Sequence, residues 1–264
     1  MQDWLRLGKQ AEEDEEYEKA VEYYQKAAAA GDIDGWCLLG ILYCDLKDYP
    51  KALDALQKAA NSEDNTTKGR AAALLGTLYE RGWGVNKDKE QALRWFETAL
   101  AAGEEDAYWW LGEIFKYDKH DYPKAIAHYE KAAIDGNPAQ ADAEFELGDL
   151  YFDEYDKYAG FEVDHDKAFA WFSKAAEHGN SDAMISLGKC YDFGCGVEKN
   201  TEKAQEYYEK ALAEGNEEAH WWLGKHFDYC KEYSKAIAHY EKAAVDGNPY
   251  QSAAEKELGF HWTS

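Results

Sequence analysis

The dipeptide Leu-Gly recurs along this 264-residue chain at nearly constant spacing, and that period constrains the fold more than any other feature. Successive glycines of the pair lie 32, 36, 36, 36, 40, 36 and 35 residues apart. Such a period predicts a repeat architecture, in which each unit buries its apolar face only against its neighbours. The eight copies are Leu7-Gly8, Leu39-Gly40, Leu75-Gly76, Leu111-Gly112, Leu147-Gly148, Leu187-Gly188, Leu223-Gly224 and Leu258-Gly259.

The third copy, residues 71–103, shows what one unit contains. Apolar residues at helical spacing, from Ala71 to Tyr79, predict a first amphipathic helix. The turn GWGV at 82–85 breaks it, because glycine enters left-handed backbone conformations without strain. Asp88 is a preferred N-cap type, and the pattern that follows predicts a second amphipathic helix ending at Gly103. The unit is therefore a pair of helices.

The sequence also repeats at a longer period. AYWWLG at Ala107 and AHWWLG at Ala219 lie 112 residues apart, and the two KAIAHYEKAA segments that begin at Lys124 and Lys235 lie 111 apart. Copies three to five therefore resemble a duplicate of copies six to eight. No linker rich in Gly, Ser or Pro separates the halves, so we predict one continuous domain.

The full pattern, A-xxx-LG-xx-Y-xx-G-x-GV followed by KA-xx-W/Y-F/Y-xKA-xx-G, resembles the Sel1-like repeat family, a relative of the tetratricopeptide repeats. Copies three (Gly82 to Val85) and six (Gly194 to Val197) carry the complete turn, and copy five departs most, with an insertion at 153–166. The resemblance implies an all-α, right-handed α-solenoid of antiparallel helix pairs over 1–264. About seven pairs would occupy 2–251, and a capping helix would occupy 252–264.

Composition limits the partners. The formal charge is −24, from 53 acidic and 29 basic residues, which disfavours nucleic acid and anionic membrane and favours a basic partner. No apolar run is long enough to span a bilayer, and the N-terminus lacks the pattern of a secretory signal. Five cysteines at irregular spacing predict reduced thiols. We therefore expect a soluble, cytoplasmic protein.

Resemblance to tetratricopeptide repeats implies which residues face a concave binding surface: those two before, two after and five after the Leu of each Leu-Gly. Trp109 and Trp221 are the prominent aromatic residues in this set, whereas the adjacent Trp110 and Trp222 are expected in the core. A ridge of apolar residues with acidic neighbours predicts binding of a polypeptide with apolar anchors and basic flanks. The partner-binding candidates are Trp109, Glu113, Phe145, Asp149, Phe152, Ile185, Trp221, Lys225 and Asp228, and the same rule includes Phe260.

Two sequence features raise the alternative of a metal site or an enzyme. Cys190, Cys195, His226 and Cys230 have the ligand types of structural zinc, although their spacing matches no recognised finger and buried thiols also explain them. The Asp164-His165-Asp166 segment could bind metal, or Asp164 could cap the helix that follows. We predict no cofactor, no metal and no catalytic residue, because no nucleophile is paired with a base and no phosphate-binding loop is present.

The leading hypothesis is a non-enzymatic module that binds another protein. Some bacterial Sel1-like proteins are small and acidic and neutralise a toxin by direct binding, so an immunity-type inhibitor of a basic toxin is one specific form of it. A regulatory or scaffold adaptor in bacterial signalling or envelope pathways is the alternative within the same class. A metal-dependent enzyme is the alternative from a different class.

Overall fold

A computed structural model describes residues 3–152, 163–245 and 248–262, with side chains through residue 259. Two compact units are present, residues 1–128 and 129–264. The described residues form α-helices joined by short turns, together with one π-helical segment and no strand. The all-α fold of paired helices predicted from the repeat is confirmed.

Unit 1 consists of successive helix pairs in which the odd-numbered helix is the first of each pair. The helices are α1 (Trp4–Glu13), α2 (Tyr17–Ala29), α3 (Ile33–Asp45), α4 (Tyr49–Ala59), α5 (Asn65–Arg81), α6 (Lys89–Ala101) and α7 (Ala107–Glu113). The following helix, α8 (Tyr122–Ala132), contains the boundary between the two units. Each helix from α1 to α6 packs against the next one in the chain.

Unit 2 repeats this arrangement. Its helices are α9 (Gln140–Phe152), α10 (His165–Glu177), α11 (Ser181–Phe193), α12 (Thr201–Ala213), α13 (Ala219–Tyr229), α14 (Tyr233–Ala243) and α15 (Gln251–Trp262). Each again packs against its successor, and the first helices α11 and α13 also contact each other. Most of the predicted insertion in copy five, residues 153–162, lies outside the described residues.

The Leu-Gly glycine explains the close pairing of helices. A Cβ built on Gly188 would lie 2.4 Å from Cε1 of Tyr208, and one on Gly76 would lie 2.6 Å from Cε1 of Phe96. Both distances are far below van der Waals contact, so only glycine lets the aromatic ring of the second helix lie on the first helix. Both rings are almost fully buried. The repeat is therefore a glycine on one helix and a large side chain on its partner.

Helix ends follow the predicted chemistry. The side chains of Asp88 and Asp164 accept hydrogen bonds from the backbone N–H of Gln91 and Lys167, each at 3.0 Å, so both act as N-caps. Gly194 ends α11 in the left-handed conformation (φ 75°), which a side chain would strain. The capping role predicted for Asp164 is confirmed.

One local irregularity distinguishes the two halves. Nine residues separate Gly112 from Tyr122, whereas eight separate Gly224 from Tyr233. The segment Ile114–Asp118 is π-helical, whereas α13 continues as an α-helix through the equivalent stretch. A π-turn accommodates one extra residue without breaking the helix. This turn therefore explains why the AYWWLG and AHWWLG segments lie 112 residues apart, whereas the two KAIAHYEKAA segments that follow them lie 111 apart.

Candidate partner-binding surface

Side chains from three first helices of unit 2 meet on one face. The ammonium of Lys189 on α11 lies 5.5 Å from the ring centroid of Phe152 on α9 and 4.9 Å from that of Trp222 on α13. A cation at this distance is attracted by the negative face of an aromatic ring. Lys189 and Phe152 occupy positions that the repeat rule assigns to the binding surface.

A crevice with a volume of about 320 Å³ opens on this face between α11 and α13. We call it the α11–α13 crevice. Residues that line it include Asp192, Phe193, Trp222, Lys225, His226 and Tyr229. This volume lies at the lower end of the range of small-ligand pockets, and is large enough for a partner's side chain.

The floor of the crevice is a buried polar network. Nδ1 of His226 donates to Oδ1 of Asp192 at 2.9 Å, and the hydroxyl of Tyr208 donates to Oδ2 at 3.1 Å. Burial raises the pKa of Tyr208, and the Asp192 charge raises it further, so the phenol remains a donor at neutral pH. A buried carboxylate is stable here because hydrogen bonds replace its lost water.

Cys230 lies at the edge of this network. Its Sγ is 3.8 Å from Nε2 of His226, so thiol, imidazole and carboxylate follow one another as in cysteine-dependent hydrolases. Burial raises the pKa of Cys230, and the charge of Asp192 raises it further. Both effects favour the protonated thiol over the thiolate.

The rim of the crevice is aromatic and exposed. Phe193 and Tyr229 are 60% and 65% exposed, the highest values among the large hydrophobic residues that the structure describes. Both residues end their helices, α11 and α13. Exposed rings that surround a recess are typical of surfaces covered by a partner.

Unit 1 contains the equivalent crevice, between α5 and α7, and its chemistry differs. Its volume is about 210 Å³, and Glu80, Arg81 and Trp110 line it. The Arg81 guanidinium forms an ion pair with Glu80 (Nε to Oε2, 2.9 Å) and its Cζ lies 5.6 Å from the Trp110 ring centroid. Lys89 and Asp118 form a second ion pair. This crevice, the α5–α7 crevice, is thus lined by ion-paired side chains of the chain itself.

The two candidates in unit 1 are half-buried. Trp109 contacts the Trp110 ring edge-on at a centroid distance of 4.7 Å, and Glu113 lines the α5–α7 crevice. Trp110, which we expected in the core, lines the same crevice with one face stacked on Phe96. Trp110 therefore packs against the core, as expected, and also lines the crevice.

The candidates in unit 2 divide into three environments. Lys225 and Asp228 line the α11–α13 crevice, and Asp149 is half-buried on α9. Phe145 and Phe152 contact the buried Phe172 ring at 5.9 and 5.8 Å, and Trp221 stacks on Tyr250 at 5.4 Å. Side chains packed in this way hold neighbouring helices together. Their role in binding stays a prediction.

One expectation for this face is wrong. Ile185 is only 5% exposed and belongs to the core of α11 to α14, because its side chain points into the interface between neighbouring helices. Trp222, expected in the core, packs against that core and also lines the crevice. The exposed ridge therefore does not run through Ile185. Phe260, another position given by the rule, lies outside the described side chains.

The zinc candidates are dispersed over separate contacts. His226 is bound to Asp192 and Cys230, whereas Cys190 is fully buried, which raises its pKa to about 12. Cys195 follows the turn after α11 and is half-buried. Within residues 3–152, 163–245 and 248–262, no three His, Cys, Asp or Glu side chains are arranged to hold a metal ion. The five cysteines are unpaired, as predicted.

Sequence reasoning missed the crevice's most exposed residues, Phe193 and Tyr229. Phe193 lies six residues after the Leu of its repeat and Tyr229 lies six after the next, one position beyond the last that the rule considers. The signal was present: copy three has Arg81 where copy six has Phe193. An aromatic residue at a position that is charged in the duplicate could have indicated a changed surface.

No helix in the part of the chain described is both long and apolar enough to cross a membrane.

Comparison with known proteins gives a consistent family. The Sel1 repeat profile matches residues 5–32, 69–104, 105–137, 141–180 and 181–216, and a tetratricopeptide repeat profile matches 199–252. The Sel1-repeat-containing protein YjcO of Escherichia coli is 32% identical over 105 residues. That match covers 38% of this chain and 46% of YjcO, so the chain spans about half the length of this curated relative.

Two solved structures are similar over most of the chain. A protective antigen of uropathogenic Escherichia coli that displays an SLR fold aligns with a TM-score of 0.78 at 26% identity, covering 97% of this chain and 55% of the antigen. A Sel1 repeat protein from Oxalobacter formigenes aligns with a TM-score of 0.66 at 29% identity, and the alignment covers 84% of this chain and 86% of the Oxalobacter chain. With five Sel1 repeats matched over more than half of its length, this chain belongs to the Sel1 repeat family.

Proposed function

We propose that this chain binds a segment of another polypeptide on the face of unit 2 that surrounds the α11–α13 crevice. The observation that carries the proposal is the exposure of Phe193 and Tyr229 at the rim of one recess. Aromatic residues beside a recess dominate binding energy at protein interfaces. Sel1 repeat proteins act in protein–protein interaction, which agrees with this use of the surface.

Charge supports a basic partner. At −24 the chain attracts cationic proteins over distances of about one Debye length, roughly 8 Å at physiological salt. Attraction of this kind raises the association rate more than the final affinity. We therefore expect the association rate to fall as salt is raised, and the dissociation rate to depend mainly on the rim aromatics.

An immunity-type inhibitor and an adaptor use the same surface differently. An inhibitor holds one basic toxin tightly and blocks its activity, whereas an adaptor exchanges several partners through weaker contacts. The acidity favours the inhibitor hypothesis, because a single strongly basic partner gains most from it. Stoichiometry and lifetime of the isolated complex distinguish the two.

The experiment compares two double variants in affinity capture from the native lysate. Phe193→Ser with Tyr229→Ser removes the rim aromatics, and Tyr17→Ser with Leu46→Ser removes two exposed residues of unit 1 (41% and 43% exposed) as a matched control. We expect the rim variant to retain a specific partner at least about tenfold less, since each hot-spot ring contributes on the order of 1–2 kcal/mol.

Circular dichroism serves as the folding control, because both pairs are exposed and should leave helicity unchanged. A partner kept by the rim variant and lost by the unit 1 variant would contradict the proposed surface. A partner lost only by the rim variant, and released in one-to-one stoichiometry, would support it.

A further inference from the structure

In the α5–α7 crevice of unit 1, the guanidinium of Arg81 lies close to a carboxylate and to an indole. Arg81 forms an ion pair with Glu80 at 2.9 Å, and its Cζ lies 5.6 Å from the Trp110 ring centroid. Arginine suits such a place because its planar cation stacks on a ring and bonds a carboxylate through its edge. Arg81 in unit 1 thus shows a guanidinium beside a carboxylate and an indole in a crevice of this type.

The α11–α13 crevice keeps the carboxylate and the indole and lacks the arginine. Asp192, Phe193 and Trp222 stand 112 residues after Glu80, Arg81 and Trp110, within the duplicated segment. Phe193 replaces Arg81 and points a 60% exposed ring outward. The lining of unit 2 thus keeps an indole and a carboxylate, which His226 and Tyr208 already bond, and it has no arginine at the position of Arg81.

Both acidic and basic groups surround the crevice, so some attract an incoming guanidinium and others repel it. Asp192 and Asp228 line it, and Glu202 and Glu232 are close enough to Cys230 to raise its pKa, after burial and Asp192. Lys199 and Lys225 also line it, and Lys225 forms an ion pair with Glu257 at 3.3 Å. These acidic groups offset the charges of the two lysines, and the ion pair with Glu257 reduces the effect of Lys225 at the rim.

The Trp222 ring already attracts a cation. The ammonium of Lys189 lies 4.9 Å from its centroid, in a contact that has no counterpart in unit 1, where Thr77 stands at the equivalent position. Lys189 is therefore an internal competitor for any cationic side chain that enters. This gives the inference a specific variant for its test.

We propose that the α11–α13 crevice is a specificity pocket for an arginine side chain of the partner. The guanidinium stacks on Trp222, its N–H groups bond the carboxylates of Asp192 and Asp228, and the rings of Phe193 and Tyr229 flank its alkyl stem. The inference rests on the proposed function, because it assigns the residue that the partner inserts. It also gives the basic partner a specific contact.

Single capped amino acids test the pocket without the partner. The indole N–H signal of Trp222 in a ¹H–¹⁵N spectrum is followed during titration with acetyl-arginine amide, and with the citrulline, lysine and leucine amides. We expect saturable binding of the arginine amide, and binding about tenfold weaker for citrulline, which has the same shape without the charge. Equal binding of arginine and leucine amides, or no saturable shift with arginine, would overturn the inference.

Three variants fix the geometry. Asp228→Asn should weaken arginine binding about threefold to tenfold, because it removes one of the two carboxylates. Lys189→Gln should strengthen it by a similar factor, because the competitor is gone. Arg81→Ala should create a second arginine site, seen as a shift of the Trp110 indole signal. If the Trp110 signal of the folded Arg81→Ala variant does not move during titration with acetyl-arginine amide, the two crevices do not share a recognition mode.

Failure of this inference can be told apart from failure of the proposed function. If the rim variant loses its partner but the wild-type chain binds no arginine amide, the proposed partner-binding surface is supported and the arginine pocket is refuted. If arginine amide binds and the rim variant retains its partner, the crevice binds arginine, but the proposed surface and the role of the crevice in the partner complex are both wrong.

Discussion

Replacing Gly188 with alanine tests whether the Leu-Gly glycine sets the helix pairing. A Cβ at this position would lie 2.4 Å from Cε1 and 2.6 Å from Cδ1 of Tyr208, so the buried ring must move. Overpacking of this kind costs about 1–3 kcal/mol. Displacing the ring also breaks its hydrogen bond to Asp192, which contributes about 1 kcal/mol.

Helix propensity opposes these costs. Alanine is favoured over glycine in a helix by about 1 kcal/mol, because the glycine loses more backbone entropy on folding. We therefore expect Gly188→Ala to lower the free energy of unfolding by about 1–3 kcal/mol. Equilibrium urea unfolding followed by far-UV circular dichroism measures the change.

Two matched variants separate the terms. Gly76→Ala meets Phe96, which has no hydroxyl, so it should cost about 1 kcal/mol less than Gly188→Ala. Gly259→Ala, in the last Leu-Gly copy, meets no atom within 4 Å and should be neutral or stabilising. Equal stability changes for Gly188→Ala and Gly259→Ala would refute the reasoning, because they would show that the ring does not depend on the glycine.

Two further predictions concern unit 2. Burial, followed by the charges of His220 and Lys242, lowers the pKa of His239 to about 4, and its Nδ1 lies 3.0 Å from Nδ1 of His220. In the unfolded chain the histidine pKa is near 6.5, so between pH 6.5 and 4 the unfolded chain binds a proton at His239 that the folded chain does not. The free energy of unfolding should therefore fall by about 2 kcal/mol from pH 6.5 to 4, as measured by urea unfolding midpoints. A midpoint that does not change with pH would contradict this. Asp164→Ala removes the N-cap of α10 and should cost about 1 kcal/mol in the same assay, with Asp164→Asn close to wild type; equal loss in both would contradict capping.

The sequence was sufficient for the repeating unit because each of its residues acts locally. Gly82 and Gly194 end helices in the left-handed conformation, and Asp88 and Asp164 cap the helices that follow. These effects depend on backbone geometry within one turn. The period of the Leu-Gly pairs then required each helix to pack against its neighbour. Fold class could therefore be predicted from the chain alone.

The site was less predictable because adjacent positions on a helix differ by about 100° in direction, so a small error in facing exchanges the buried and exposed residues. Trp221 and Trp222 are adjacent, and both are half-buried against the same core, but their further contacts differ. The first stacks on Tyr250, and the second lines the crevice beside Lys189. Lys225 and Asp228, which the tetratricopeptide rule assigned to the binding surface, line the crevice, and their role in binding stays a prediction. The rule failed for Ile185, which the interface of α11 with its neighbours buries.

The network on the crevice floor could not be derived from one sequence either. Asp192, Tyr208 and His226 come from three helices, and only their packing shows that one carboxylate accepts from both partners. In unit 1 the positions of Tyr208 and His226 hold Phe96 and Ile114, both buried. The same backbone thus supports an apolar floor in one unit and a polar one in the other.

Site-specific photocrosslinking tests most directly the claim that the partner binds at the α11–α13 crevice. Phe193, Arg81 and Tyr17 are each replaced in turn by p-benzoylphenylalanine, and cells expressing the full chain are irradiated. We predict a crosslink to one discrete basic polypeptide from position 193, and none to that polypeptide from positions 81 and 17. A partner crosslinked from position 81 or 17, with none from 193, would contradict the account.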